Sequence, residues 1–424
     1  MVEASKVDLL IVNAGQLVTC AGKRGRPKVG EAMLDLGVIE RGAVAVAGER
    51  IVAVGKSGEL EREVELAPDV RVVDAGGRLV MPGFVDPHTH LVFAGSREHE
   101  LELKLSGVPY LEILARGGGI LSTVRATREA SLEELVAIGL KYAEEMLRQG
   151  TTTAEAKSGY GLNTEDEIKQ LEAVREIDAR HPIDLVPTFL GAHAVPEEYA
   201  GRGDEFVDLI LEDMLPAVRE RGLAEFCDVF CEEGVFSVEQ SRRVLERAGE
   251  LGFGLKIHAD EIKPLGGAEL AAEVGATSAD HLLAVSDRGI AELAARGVVA
   301  VLLPGTTFNL RERHYAPARK MLERGVAVAL ASDFNPGSCP TNSLELIMTI
   351  ACLYLEMRPA EVINALTINA AHAIGRGHMI GSLEPGKQAD IVIFDAPNYE
   401  YLCYRFGTNL VYKVIKRGQI VVEQ

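Results

Sequence analysis

Gly83-Phe84-Val85-Asp86-Pro87-His88-Thr89-His90 runs from an apolar stretch into a polar end that carries two histidines one residue apart. Side chains two apart on an extended chain share a face. His88 and His90 are therefore expected to point together into the mouth of a barrel, as two imidazoles on one metal require. A His-x-His alone is a weak signal, because paired surface histidines are common. Its weight depends on what the rest of the chain places at comparable positions.

Three further apolar runs end in the same kind of residue. Lys256-Ile257-His258-Ala259-Asp260-Glu261 closes one, Ser278-Ala279-Asp280-His281-Leu282 the next, and Val326 to Ala331 runs into Ser332-Asp333. Groups just past apolar strands are where parallel barrels build their sites. Histidines and an aspartate at these strand ends make a nitrogen and oxygen donor set suited to zinc or iron. Such a metal brings the pKa of its water toward ~7. Glu261, three residues after His258, is placed to shuttle a proton, although a first-turn acid of a helix is the bland alternative. Lys157 follows the strand-like Thr151 to Ala156 and precedes a glycine-bearing Ser158-Gly159-Tyr160-Gly161. It reads as a loop residue rather than a bridge between two metals.

The surroundings fit that reading. The middle, residues 82–375, alternates apolar runs (Asp184 to Pro187, Gly254 to Ile257, Val298 to Leu303, Val326 to Ala331) with helical periodicity, as in Ser131 to Gln149 and Val238 to Gly252. Strand and helix alternation over about 290 residues matches a parallel α/β fold, near the ~250 typical of a (β/α)₈ barrel. A doubly wound sheet is the rival, but no G-x-G-x-x-G follows a strand. Both ends are rich in short strands: Val7 to Val12, Ala43 to Ala47, Ile51 to Val54 and Val70 to Val73, then Asp390 to Phe394, Lys413 to Lys416 and Ile420 to Val422, the last two joined at Arg417-Gly418-Gln419. Residues 1–81 plus 376–424 are thus expected to form one composite β-sandwich beside the barrel of residues 82–375.

Composition sets limits. The chain has 424 residues, with 47% hydrophobic and 25% charged, enough to bury a large core without staples. Its net charge of -19 argues against nucleic acid or an anionic membrane as partner. The start, Met1-Val2-Glu3-Ala4-Ser5-Lys6-Val7-Asp8, lacks the basic and apolar regions of a signal peptide. No apolar stretch approaches the ~20 residues of a membrane span. The six scattered cysteines, including Cys227-x₃-Cys231, make neither a disulfide framework nor a complete zinc site. The expected compartment is the cytoplasm.

Met81-Pro82-Gly83-Phe84-Val85-Asp86-Pro87-His88-Thr89-His90 resembles the entry motif of the amidohydrolase superfamily, and Gly381-Ser382-Leu383-Glu384-Pro385-Gly386-Lys387-Gln388-Ala389-Asp390-Ile391-Val392 resembles its return strand. More narrowly, the chain is similar to the imidazolonepropionase family. That similarity rests on His90-Leu91-Val92-Phe93-Ala94-Gly95-Ser96-Arg97, Gly117-Gly118-Gly119-Ile120, Lys157-Ser158-Gly159-Tyr160-Gly161-Leu162, Phe189-Leu190-Gly191-Ala192-His193-Ala194-Val195-Pro196, His258-Ala259-Asp260-Glu261 and Asp333-Phe334-Asn335-Pro336-Gly337-Ser338. The resemblance implies one Zn2+ or Fe3+ ion per subunit on His88, His90, His258 and Asp333. It implies substrate contacts from Arg97, Tyr160, His193, Glu261, Asn335, Gly337 and Ser338, where relatives often carry Thr for Ser338. The implied substrate is 4-imidazolone-5-propanoate, opened to N-formimidoyl-L-glutamate, with Glu261, His281 and Asp333 as catalytic groups. A homodimer is implied as well.

Arg97, seven residues past the His-x-His, can hold a carboxylate through a bidentate pair; an ordinary Arg would instead pair with Glu98 or Glu100. A nucleobase deaminase of the same superfamily needs no such clamp, so Arg97 discriminates against that reading. The full ligand set argues against a barrel that has lost its metal.

Overall fold

A computed structural model describes residues 6–23, 25–108 and 118–424; Met1 to Ser5 and Gly117, quoted above, lie outside them. Along the chain come β1 (Val7–Val18), β2 (Val38–Ala47), β3 (Arg50–Lys56), β4 (Leu66–Asp74) and β5 (Leu79–Pro82). The next eight are β6 (Phe84–Asp86), β7 (Thr151–Lys157), β8 (Asp184–Ala192), β9 (Phe226–Cys231), β10 (Gly254–Ala259), β11 (Ser278–His281), β12 (Val299–Leu302) and β13 (Val328–Leu330). The chain ends with β14 (Ile391–Phe394), β15 (Val411–Lys416) and β16 (Gln419–Glu423).

The strands β6 to β13 pair in sequence order, each parallel to the next. Helices alternate with them on the outside. Leu132–Arg148 begins at the predicted cap: the Ser131 hydroxyl accepts from the Glu134 amide and the Glu134 carboxylate accepts from the Ser131 amide. Its Leu135, Val136, Ala143, Met146 and Leu147 are buried against the barrel, each large one contributing about 1.5–3 kcal/mol. The expected (β/α)₈ architecture is therefore present.

Pro87 shapes the first barrel strand. It has no amide to donate, so the ladder of β6 stops at Asp86. Pairing resumes beyond it. The His88 carbonyl accepts from the Asp333 amide at 3.0 Å, and the His90 amide donates to the Phe334 carbonyl at 2.9 Å. Thr89 and Phe334 form a parallel bridge there. The barrel thus closes through the segments that carry His88, His90 and Asp333.

The chain termini meet in a second sheet of order β16-β15-β14-β5-β1-β2-β3, with β4 also on β1. Its link is β14, antiparallel to β5. Alternation along β1 sends Leu9 and Ile11 into one apolar cluster, and Leu10 and Val12 into another. Turn Arg417-Gly418 joins β15 to β16 as expected. Buried Lys416 ties the two parts together, 2.7 Å from Asp184 at the start of β8 and 2.7 Å from Asp390. Among the described residues, no helix is long and apolar enough to cross a membrane, and all six cysteines are free.

Glu345, near the start of the helix Leu344–Tyr354, is buried and accepts the Leu410 amide at 3.1 Å. Burial pushes its carboxyl up to about 7 from an ordinary 4.5. The unfolded chain releases this proton at lower pH than the folded one. The folded state therefore binds more protons across that window, and stability falls as pH rises through it. Glu345→Gln keeps an acceptor and does not titrate. Thermal melts of the two proteins should coincide at pH 4 and separate by pH 8, the variant being more stable by up to about 3 kcal/mol. Parallel curves at all pH values would contradict the assignment.

Candidate functional site

The predicted side chains converge at the C-terminal ends of the barrel strands. They surround a cavity of about 770 Å³ lined by His90, Arg97, Tyr160, His193, His258, Glu261, His281, Asp333, Asn335, Gly337 and Ser338. His88 lies beneath it, wholly buried. Three overlapping groups have ligand atoms close enough to share one ion: His88 with His90 and Asp333, His88 with His258 and His281, and His88 with Glu155 and Asp280, the last holding Lys157 and Lys256 between its acids. His88 is the common member. The four residues implied as ligands are brought together, and His281 joins them as a fifth neighbour.

The chemistry of these atoms fits a metal. Among the described residues, Nε2 of His88 and Nε2 of His258 are buried without a hydrogen-bond partner. Orphaned buried nitrogens are costly unless something satisfies them. Asp333 Oδ1 lies 3.5 Å from His88 Nε2 and 3.6 Å from His90 Nε2. Its other oxygen accepts from Thr306 Oγ1 at 2.5 Å, which turns Oδ1 toward the histidines. Burial holds His88, His90 and His281 well below the usual histidine range. Neutral imidazole is the form that ligates. Three non-glycine residues here adopt positive φ, namely Asp260 (49°), His281 (76°) and Asp333 (55°), a strained geometry that concentrates at functional sites.

The two acids differ from ordinary carboxylates. Burial, then the charge of Asp333, pushes Glu261 up to about 8, and burial brings Asp333 to about 6. Glu261 Oε1 faces His281 Nδ1 at 3.5 Å. His193 stacks on His90 with ring centroids 4.9 Å apart. Its Nδ1 meets the Gly159 carbonyl at 3.0 Å, and burial lowers it to about 3.

Arg97 realises both readings offered by the sequence. Its Nε and Nη2 each lie 2.9 Å from the Glu100 carboxylate, and Glu100 also accepts from the Gly119 amide. Yet the guanidinium lines the cavity, with its end packed over Gly337. A Cβ on Gly337 would sit 2.0 Å from Arg97 Nη1, so only glycine leaves that space. Asn335 is spent on its own turn: Oδ1 accepts the Gly337 and Ser338 amides, and Nδ2 donates to the Asp333 carbonyl and Ser338 Oγ.

One expectation is corrected. Lys157 is not a loop residue but the last residue of β7, wholly buried. Thr153 to Lys157 pair with Asp184 to Thr188 of β8, and every side chain of β7 is buried. Lys157 Nζ meets Asp228 at 2.6 Å and Glu155 at 3.0 Å. Sequence reasoning also missed Asp280, which holds His88 Nδ1 at 2.6 Å, and Asp228, 3.0 Å from His258 Nδ1. Glu167 was missed too; it accepts the amides of Gly159, Gly161 and Leu162 and so shapes the loop that presents Tyr160. A charged residue inside an apolar strand was the available signal for Asp228 and Asp280.

The amidohydrolase family profile matches residues 79–421. An imidazolonepropionase of Alkaliphilus oremlandii is 59% identical over 418 residues, which is 99% of each chain. That of Symbiobacterium thermophilum is 57% identical, covering 99% of this chain and 98% of the relative. Among solved structures, E. coli guanine deaminase superposes with a TM-score of 0.74 at 16% identity, over 98% of this chain and 99% of the other. A zinc-bound adenosine deaminase from Xanthomonas campestris gives 0.70 at 22%, over 99% and 94%. At those identities the two deaminases share the fold alone.

The purified protein is expected to carry zinc or iron, read by elemental analysis. Stripping it with a chelator should lower the melting temperature, and adding the metal back should restore it, because a ligand bound only to the folded state stabilises it. A melting temperature indifferent to chelator and metal would contradict the site.

Proposed function

Because the chain belongs to the amidohydrolase family, and within it to the imidazolonepropionases, we propose that it opens the ring of 4-imidazolone-5-propanoate to give N-formimidoyl-L-glutamate in histidine degradation. What supports this reading is one cavity with His88, His90, His258, His281 and Asp333 clustered at its floor and a guanidinium, Arg97, on its wall.

His88, His90, His258 and Asp333 would hold one zinc or iron ion, since their nitrogen and oxygen donors suit either. When bound, it supplies Lewis acidity, polarising a carbonyl and acidifying water beside it. The remaining work falls to the side chains. Arg97 has committed its Nε side to Glu100, so the Nη1–Nη2 end meets the propionate of the substrate. Tyr160 and His193 flank the ring, and the Gly159 carbonyl on Nδ1 leaves Nε2 of His193 for the substrate.

Water adds across the amide bond of the ring: its oxygen goes to the carbonyl carbon, and the carbon–nitrogen bond breaks. His281 is neutral and so carries one N–H; Glu261, kept protonated by burial, faces its Nδ1 at 3.5 Å, which leaves that N–H on Nε2 to donate to the carbonyl oxygen as charge develops there. Asp333 and Glu261 carry the proton from water to the departing ring nitrogen. Burial keeps Glu261 near the pH at which a proton moves either way.

Loss of the ring's ultraviolet absorbance on adding imidazolone propanoate to the metal-loaded protein is the direct assay; no turnover with metal present would overturn the assignment. Arg97→Met should raise KM about 10- to 100-fold, the worth of a charged hydrogen-bonded contact, with a smaller effect on kcat. Gly337→Ala should do the same by displacing the guanidinium, and an unchanged KM in both would remove Arg97 from substrate binding.

A further inference from the structure

Two of the histidines at the metal-facing floor are held from behind by carboxylates. Asp280 Oδ2 lies 2.6 Å from His88 Nδ1, and Asp228 Oδ2 lies 3.0 Å from His258 Nδ1. A carboxylate on one ring nitrogen fixes the orientation of an imidazole and leaves the other nitrogen for a metal. These two carboxylates come from different strands, β9 and β11, which flank β10 and its His258.

Both converge on one ammonium. Lys157 Nζ is 2.6 Å from Asp228 Oδ2, 3.6 Å from Asp280 Oδ2 and 3.0 Å from Glu155 Oε2. Lys157 and all three acids are 0% exposed. A second ammonium, Lys256, closes the other side, 2.7 Å from Glu155 and 2.9 Å from the Pro87 carbonyl. Without Lys157, Asp228 would face no ammonium and Asp280 only Lys256 at 4.0 Å, and the buried carboxylates would repel one another strongly at this depth. Asp228 and Asp280 would then swing apart, each carrying the ring it holds.

We propose that Lys157 is a positioning residue: by bridging Asp228 and Asp280 it fixes His258 and His88 together in their ligating orientations. The path runs His258–Asp228–Lys157–Asp280–His88. One side chain that touches neither metal nor substrate thereby sets two ligands at once. This rests on the reading that His88 and His258 hold the ion.

The test measures metal binding apart from turnover. Lys157→Gln and Lys157→Met are compared with the wild-type protein for zinc affinity by chelator competition and for the visible spectrum of the cobalt-loaded form. Lys416→Met is the matched control, because Lys416 is likewise a buried ammonium between two carboxylates, Asp184 and Asp390, away from the histidines. Zinc affinity should fall about 10- to 100-fold in the Lys157 variants, and the cobalt spectrum should shift. In Lys416→Met the melting temperature should fall while affinity and spectrum stay at wild-type values. A folded Lys157→Gln with wild-type zinc affinity and cobalt spectrum overturns the proposal. If neither neutral variant folds, Lys157→Arg decides: its planar fork keeps the charge but meets the two carboxylates at other distances and angles, so the cobalt spectrum should shift, and an unshifted spectrum overturns the proposal. A wild-type protein that binds neither zinc nor cobalt would instead remove the reading of the metal site on which this rests.

Discussion

The closing seam of the barrel is the constraint on which the site depends. Pro87 ends the ladder of the first strand, and the chain re-pairs one step later, His88 carbonyl to Asp333 amide and His90 amide to Phe334 carbonyl. Those bonds hold the first and last barrel segments side by side, so residues more than two hundred positions apart in sequence present their side chains to the same point. Asp86 reinforces the seam from below, accepting from both the amide and the hydroxyl of Ser332. The bonds that complete the barrel also assemble the donor set.

The interior at this end is unusual for a barrel core. In place of branched apolar layers, Glu155, Lys157, Asp228, Lys256 and Asp280 are buried together. Each such ion costs several kcal/mol to desolvate, which pairing offsets only when geometry is good. The large apolar cluster between barrel and helices supplies the stability that lets this polar centre persist. Strained backbone at Asp260, His281 and Asp333 belongs to the same concession of stability to position.

Much of this was legible in the sequence, for physical reasons. Apolar runs ending in His or Asp mark barrel strands with polar tips, and that signal located His88, His90, His258, His281 and Asp333. Short runs rich in Val and Ile between turn signals marked most strands of the terminal sheet, although β1 continues to Val18 where the run suggested Val12. What stayed hidden was pairing. His88 and Asp280 are 192 residues apart, and nothing local to either says that they meet. Lys157 was misread because glycines follow it, and a buried lysine looks like any exposed one until its three carboxylates are seen. Asn335 shows the opposite limit: its amide is consumed within its own turn, a use that residue type alone cannot reveal.

The proposed chemistry requires a single metal held where the barrel closes. Anomalous X-ray diffraction at the zinc and iron absorption edges, on crystals of the metal-loaded protein, tests it directly. One peak is expected, within bonding distance of His88, His90, His258 and Asp333, with Lys157 and Lys256 leaving no second ion beside Glu155 and Asp280. Two peaks in the barrel, or one peak away from His88, would contradict it.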